Sequence, residues 1–344
     1  MRRILLAPLI LLCGCLTTTQ WLTDTPAISP IVAEPRASMM KVVIGGYSPY
    51  AFQQTPGSTN IGMDLSVGKE IAIVNSTDAS VDQVPLKAGQ QRYGLWFPVS
   101  FHMLWDLNDA SNAIVNTDYR FGGIVKYERG LKAGSFANEV GFRYTPLMHE
   151  STHLGDELTL AGQRRNPTTF ERINPSQFFT ELLGTAAWYQ DARGQHRDRT
   201  FARAGLDVSY TSLYGADTEF TRNHRTIPGA SSRVQPIVQV EHVFGRWIPE
   251  YGKGNLPSIA AFEPFISTDI RRSIVFNYEK ARTSDPDNHT VSVNIIAGIR
   301  RADRVTRKGV SDFFLRIYHG VNPNGQFRNN SDFWLVGIGL ALDP

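Results

Sequence analysis

His149-Glu150-Ser151-Thr152-His153 places a nucleophile, an acid and two imidazoles within five residues. Read as HExxH, it is the pattern in which two histidines hold zinc and the glutamate serves as general base. That chemistry requires a helix, so that both imidazoles reach one ion. Here alternation of apolar and polar residues runs into Met148, and Gly155 follows closely, so the segment reads as a strand. In a strand the two histidines lie roughly 13 Å apart along the chain, at about 3.3 Å per residue. Glu181 could be offered as a third ligand, but nothing else in the sequence supports it. We expect no metal and no cofactor.

A second chemistry is available to the same residues. His149 and Ser151, two apart on a strand, share a face and could form a base and nucleophile. With Asn116 as orienter, the set resembles the Ser-His-Asn arrangement of outer-membrane phospholipases and the His-x-Ser of lipid A deacylases. Two observations oppose it. Those enzymes turn their dyad toward lipid, whereas alternation carried along this segment puts His149 and Ser151 on the face of Glu139 and Arg143. The Asn-Gly that would help bind an oxyanion is absent after Ser151, where Thr152-His153 stands. A hydrogen-bonded network inside a barrel is the favoured reading, and catalysis is the alternative.

The elements that must carry these residues alternate strictly. From Tyr93 to Leu107, Tyr93, Leu95, Phe97, Val99, Phe101, Met103, Trp105 and Leu107 are all apolar, while Gly94, Ser100, His102 and Asp106 intervene. One face of that strand is therefore oily and the other mixed to polar. The pattern recurs with Val115 to Glu128, Glu139 to His153, Arg203 to Tyr210, Arg233 to Phe244 and Val291 to Arg300. Aromatic residues near strand ends and paired charges on polar faces favour a transmembrane barrel over a soluble sandwich. The expected fold is all-β: a closed, antiparallel, up-and-down transmembrane barrel of about 12 strands, within a range of roughly 10 to 14. Pro98, Pro146 and Pro236 fall within strands, so bulges or rim positions are expected there.

Register follows from a turn containing Gly130 and Gly134. Setting Lys126 opposite Glu139 gives a favourable cross-strand charge pair. It also sets Arg120 opposite Thr145, Asn116 opposite His149 and Asn112 opposite His153. On that basis His149 to Glu157 lies at the extracellular rim, as does the turn at Asn322-Pro323-Asn324-Gly325. The expected rim and lumen cluster comprises Asp118, Arg120, Arg143, His153, Asp156, Glu157, Asn322, Asn324 and Gln326.

With 35 Lys and Arg against 32 Asp and Glu, the net charge of +3 over 344 residues leaves no footprint for nucleic acid. Arg2 and Arg3 before an apolar run, Ile4 to Leu12, form a signal peptide too short to span a bilayer as a helix. Leu12-Cys13-Gly14-Cys15 resembles a lipobox in which Cys15 would be acylated, although Cys at its second position is unusual; an ordinary signal peptide cut slightly later is the favoured reading. The two cysteines both lie here, so no internal disulfide is available to the exported chain. The organisation read from the sequence is a signal peptide over 1–20, a flexible arm over 21–40 and the barrel over 41–344.

Three motifs then carry a family resemblance: Asp118-Tyr119-Arg120-Phe121-Gly122, His149 through Glu157, and Tyr318-His319-Gly320-Val321-Asn322-Pro323-Asn324-Gly325-Gln326-Phe327. Their order and spacing resemble the bacterial domain of unknown function 1207, from about Lys41 onward. The resemblance implies an outer-membrane-type barrel and brings no substrate. The leading expectation is an outer-membrane protein with a polar, largely plugged lumen and a polar rim. Its expected partners are outer-membrane lipid and the barrel insertion machinery, with lipopolysaccharide or an extracellular ligand at the rim. An acyl-ester hydrolase using Ser151, His149 and Asn116 is the first alternative, and a narrow solute-selective pore the second.

Overall fold

The computed structural model describes residues 19–21, 33–35, 37–48, 59–77, 86–108, 114–154, 176–192, 196–211, 232–244, 261–276, 291–302, 311–321, 323 and 333–342. Every regular element among them is a strand: β1 (Thr19–Trp21), β2 (Met40–Tyr47), β3 (Asn60–Thr77), β4 (Gln91–Asp106), β5 (Ile114–Gly130), β6 (Glu139–Leu154), β7 (Ser176–Ala192), β8 (His196–Thr211), β9 (Ser232–Val243), β10 (Ala261–Arg272), β11 (Ile274–Phe276), β12 (Val291–Ala302), β13 (Ser311–Gly320) and β14 (Phe333–Leu342). Twelve of these form a closed antiparallel wall in which β2 to β10 and β12 to β14 each pair with the next in the chain. The seam joins β14 to β2, with Leu342 opposite Met40. β1 adds to the end of β3, and β11 continues β10 past a break at Ser273. Cys15 and the remainder of the proposed signal peptide up to residue 18 lie outside the described residues.

The wall is oily outside and polar inside. On β4, Phe97 and Phe101 are each 40% exposed while Trp96 is 1% exposed. A sandwich would have packed Phe97 and Phe101 into its core and turned Trp96 toward water, so the side-chain alternation takes the barrel sense. Exposed apolar side chains on β10 to β14, among them Ile266, Ile295, Phe313 and Ile338, continue the belt. Outward aromatics mark both ends: Tyr93, Tyr127 and Trp188 at the rim nearer the chain ends, Trp105, Tyr119 and Trp334 at the distal rim.

The interior is a lattice of ion pairs. Arg143 reaches Glu70 and Glu181 at 3.2 Å each and Glu34 at 3.5 Å. Lys126 pairs with Glu70 and lies 4.9 Å from the Trp96 ring centroid. Across the bore, Arg316 bonds Asp64 at 2.5 Å and Asn294 at 3.0 Å. Arg300 clasps Asp312 with two bonds of 2.8 and 2.9 Å and meets Glu241 at 3.0 Å. Charges so far from water persist because each faces an opposite charge. Removing one partner from such a set commonly costs about 3–5 kcal/mol.

The stretch read as a flexible arm ends inside this lattice. Ala33, Glu34, Ala37 and Met39 are buried. The Ala33 amide donates to Ser267 Oγ at 3.2 Å, and Asn294 donates to the Ala33 carbonyl. Lys41 Nζ donates to the Glu34 carbonyl at 3.2 Å. The segment is thus bonded to β2, β10 and β12 while its carboxylate pairs with β6. Beside it, a cavity of about 70 Å³ lined by Glu34, Arg120, Glu181 and Arg271 has room for roughly two waters.

The expected register is corrected. Gly134, at φ +85°, sits in a tight turn that sets Gly130 opposite Glu139, so Lys126 faces Arg143 rather than Glu139. Arg120 faces Glu150, forming an ion pair at 3.1 Å, and Asn116 faces Leu154. Asn112 lies outside the described residues. The physical reason is that Lys126 finds its countercharge on β3, a strand that is not its neighbour, across a narrow bore. Pro146 does mark a bulge: Pro146 and Leu147 both face outward, and β6 slips by one residue against both β5 and β7. Pro98 and Pro236 lie at no bulge in their own strands, but β3 slips by one residue between Ala72 and Val74, opposite Trp96 and Leu95 and close to Pro98. Register holds through each proline, although Pro98 adjoins a gap in the β4–β5 ladder and Pro236 the break between β10 and β11.

Candidate functional site

The bulge at Pro146 decides where the chemistry-bearing residues point. Before it, Glu139, Arg143 and Thr145 face the lumen; beyond it, Met148, Glu150 and Thr152 do. His149, Ser151 and His153 therefore face outward, not inward as simple alternation required. Gly122, opposite the bulge, admits this geometry: a Cβ there would lie 2.3 Å from the Leu147 carbonyl oxygen.

On the outer wall Ser151 Oγ lies 3.3 Å from His153 Nε2. His149, on the other side of Ser151, is held between Phe121 and Phe178, each ring centroid 5.0 Å from its own. Tyr119, opposite Ser151 on β5, meets His153 edge-on at 5.5 Å and Phe101 at 5.2 Å. A serine flanked by two imidazoles is thus set among four aromatic rings, three residues below the end of β6 at the distal rim.

The candidates fall apart by face. Asn116 is fully buried on the lumen side and cannot orient His149. Asp118, Arg120 and Arg143 face the lumen as expected, whereas His153 does not. Asp156, Glu157, Asn322, Asn324 and Gln326 lie outside the described residues. The zinc geometry is excluded by the strand itself, since Glu150 points inward and both histidines outward. Among the described residues, no group of three or more His, Cys, Asp or Glu is placed to hold a metal ion.

Two of the three sequence motifs meet here. Tyr119 and Phe121 of the first wall in the outward residues of the second. In the third, the Tyr318 hydroxyl donates to the Val321 carbonyl, and Gly320, at φ +134°, packs so tightly on Ser292 that a Cβ would lie 2.4 Å from its Cα. What sequence reading missed was the partnership of Ser151 with His153. The Ser-x-His spacing is visible in the chain, and Pro146, three residues before His149, is the signal that faces could change.

These features define a closed twelve-stranded barrel of the outer-membrane type. The family described as "Protein of unknown function (DUF1207)" matches residues 13–188, and the chain belongs to it. No curated protein matches the chain. Among solved structures it is similar to the β-domain of the Bordetella autotransporter BrkA, at 9% identity and TM-score 0.45, over 89% of this chain and 98% of that one. It is also similar to the transport unit of the autotransporter AIDA-I from Escherichia coli, at 10% identity and TM-score 0.37, over 93% and 95%. A bacterial polysaccharide outer membrane secretin gives 10% identity and TM-score 0.33, over 89% and 99%. Each is a likeness of fold alone.

Proposed function

We propose that this is an exported outer-membrane protein whose bore is stoppered by its own N-terminal segment. On this reading it acts at its wall and distal rim rather than through its lumen. The observation that carries the reading is the burial of Ala33, Glu34, Ala37 and Met39 within the lumen lattice. The apolar belt with aromatics at both ends supports membrane placement, because such rings settle at the two interfaces. The Arg2-Arg3 and Ile4–Leu12 pattern supports export. The rim remains the expected place for lipopolysaccharide or an extracellular ligand.

Planar-bilayer recording tests the stopper. The full chain should show no conductance steps in molar salt. A variant lacking residues 33–39, inserted under the same conditions, should conduct. Equal conductance of both would defeat the reading and favour a solute-selective pore.

A further inference from the structure

We infer that Ser151 and His153 form a lipid-facing acyl-transfer site that hydrolyses carboxylic esters of membrane lipids, with His149 as the oxyanion donor. The inference rests on the membrane placement proposed above. Three features of the geometry carry it. The 3.3 Å Ser151–His153 contact lies just beyond the roughly 2.6–3.2 Å of a nucleophile and its base, within the slack that such pairs keep until substrate binds. Both groups lie on the outward wall, where a lipid can reach them without entering the bore. They stand level with Tyr119 at the distal aromatic girdle, and such girdles sit at headgroup depth, where a lipid's ester carbonyls are found.

Two residues apart on one face, His149 and Ser151 are separated by roughly 7 Å along the strand, with the substrate's carbonyl able to enter between them. His149 is fixed on both sides by Phe121 and Phe178. The clamp fixes the ring in place, so a donor on it needs little ordering during the reaction, as stabilising a developing charge requires. No backbone amide needs to be released from the ladder to make an oxyanion site. This replaces the missing Asn-Gly after Ser151.

The steps balance. Ser151 Oγ attacks the ester carbonyl carbon, and its proton passes to His153 Nε2. The tetrahedral oxyanion accepts a bond from His149. Collapse breaks the carbon–oxygen ester bond, and His153 returns the proton to the departing alkoxide. Water from the rim then attacks the acyl-Ser151 and gives a proton to His153. The second collapse releases the fatty acid, and His153 passes that proton back to the serine oxygen. Water is the co-reactant, and no oxidant or metal is required.

The test uses the full chain reconstituted in vesicles, with insertion read by flotation and by heat-modifiable gel mobility. Phosphatidylethanolamine–phosphatidylglycerol vesicles with labelled acyl chains form one arm, and vesicles carrying lipopolysaccharide the other. A fluorophosphonate probe reads the serine directly. The expected result is probe attachment at Ser151 and acyl release in at least one arm, the productive arm naming the lipid. Ser151→Ala should abolish both. His153→Gln should lower release by about 10²–10⁴-fold. His149→Phe, which keeps the ring packing but removes the donor, should lower it by about 10²–10³-fold. Asn116→Ala, on the lumen side, should leave the rate unchanged.

Failure of the chain to insert would overturn the membrane placement and this site with it. An inserted barrel that takes no probe and releases no acyl chain from either lipid would overturn the site alone, as would release that survives Ser151→Ala.

Discussion

Arg143 shows what the inside of this wall asks of a single residue. It is buried and shared by Glu34, Glu70 and Glu181, carboxylates from the N-terminal segment, β3 and β7. Arg143→Met keeps the length of the side chain but leaves those carboxylates short of a cation. It should destabilise the barrel by about 3–5 kcal/mol in urea titrations followed by tryptophan fluorescence. Arg199 also pairs with a carboxylate, Glu263, but its side chain is 31% exposed. Arg199→Met should cost no more than about 1 kcal/mol in the same titration, because water screens the pair. Equal losses would mean that the lattice does not hold the fold. The inward placement of Arg143, Glu139 and Asp118 was legible from alternation alone. Their partners were not, because a narrow bore lets side chains meet across strands that are not neighbours. Adjacent-strand reasoning pairs Lys126 with Glu139, whereas its charge is met by Glu70.

At the scale of one element, β6 explains why the fold could be read and the site misread. The sequence alternates correctly on either side of Pro146, and each half taken alone gives true faces. The extra residue at Pro146–Leu147 shifts the second half by one position, which exchanges every inner residue for an outer one. A proline says that the ladder is interrupted, but not whether a residue is inserted; Pro98 interrupts the β4–β5 ladder and Pro236 the β9 ladder with β10 and β11, and both keep register there. The faces can be checked by single cysteines placed in a chain otherwise free of them and reacted in intact vesicles. Cysteine at 147, 149 or 151 should react with a lipid-soluble maleimide. Cysteine at 148, 150 or 152 should be protected from it. If reactivity at 149 and 151 matched that at 150, the outward assignment would be wrong.

At the scale of the whole molecule, the N-terminal segment and the wall are held together by charge. Burial pushes the Glu34 carboxyl upward, yet Arg143, Arg271, Arg203 and Arg120 outweigh it and bring the group from an ordinary 4.5 down to about 2. A carboxylate depressed in the folded state stabilises it fully above its ordinary value, and that contribution is lost as pH falls toward the folded value. The segment should therefore stay seated at pH 7 and loosen between about 4.5 and about 2. Conductance steps of the full chain in acidified bilayers are the expected sign. Glu34→Gln, which cannot carry the charge, should open already at neutral pH and lose that acid dependence. A full chain that stays silent down to pH 2 would count against a charge-held stopper.

Met39 leads straight into β2, with no spacer between the seated segment and the wall. Such a ligand cannot diffuse away, and short tethers hold a binding partner at an effective concentration of about millimolar. Departure and return are then both unimolecular, so dilution of the protein would not favour the open form. Any passage that does open should be brief and self-sealing, and a free copy of residues 33–39 would compete for the vacated seat only near that same concentration.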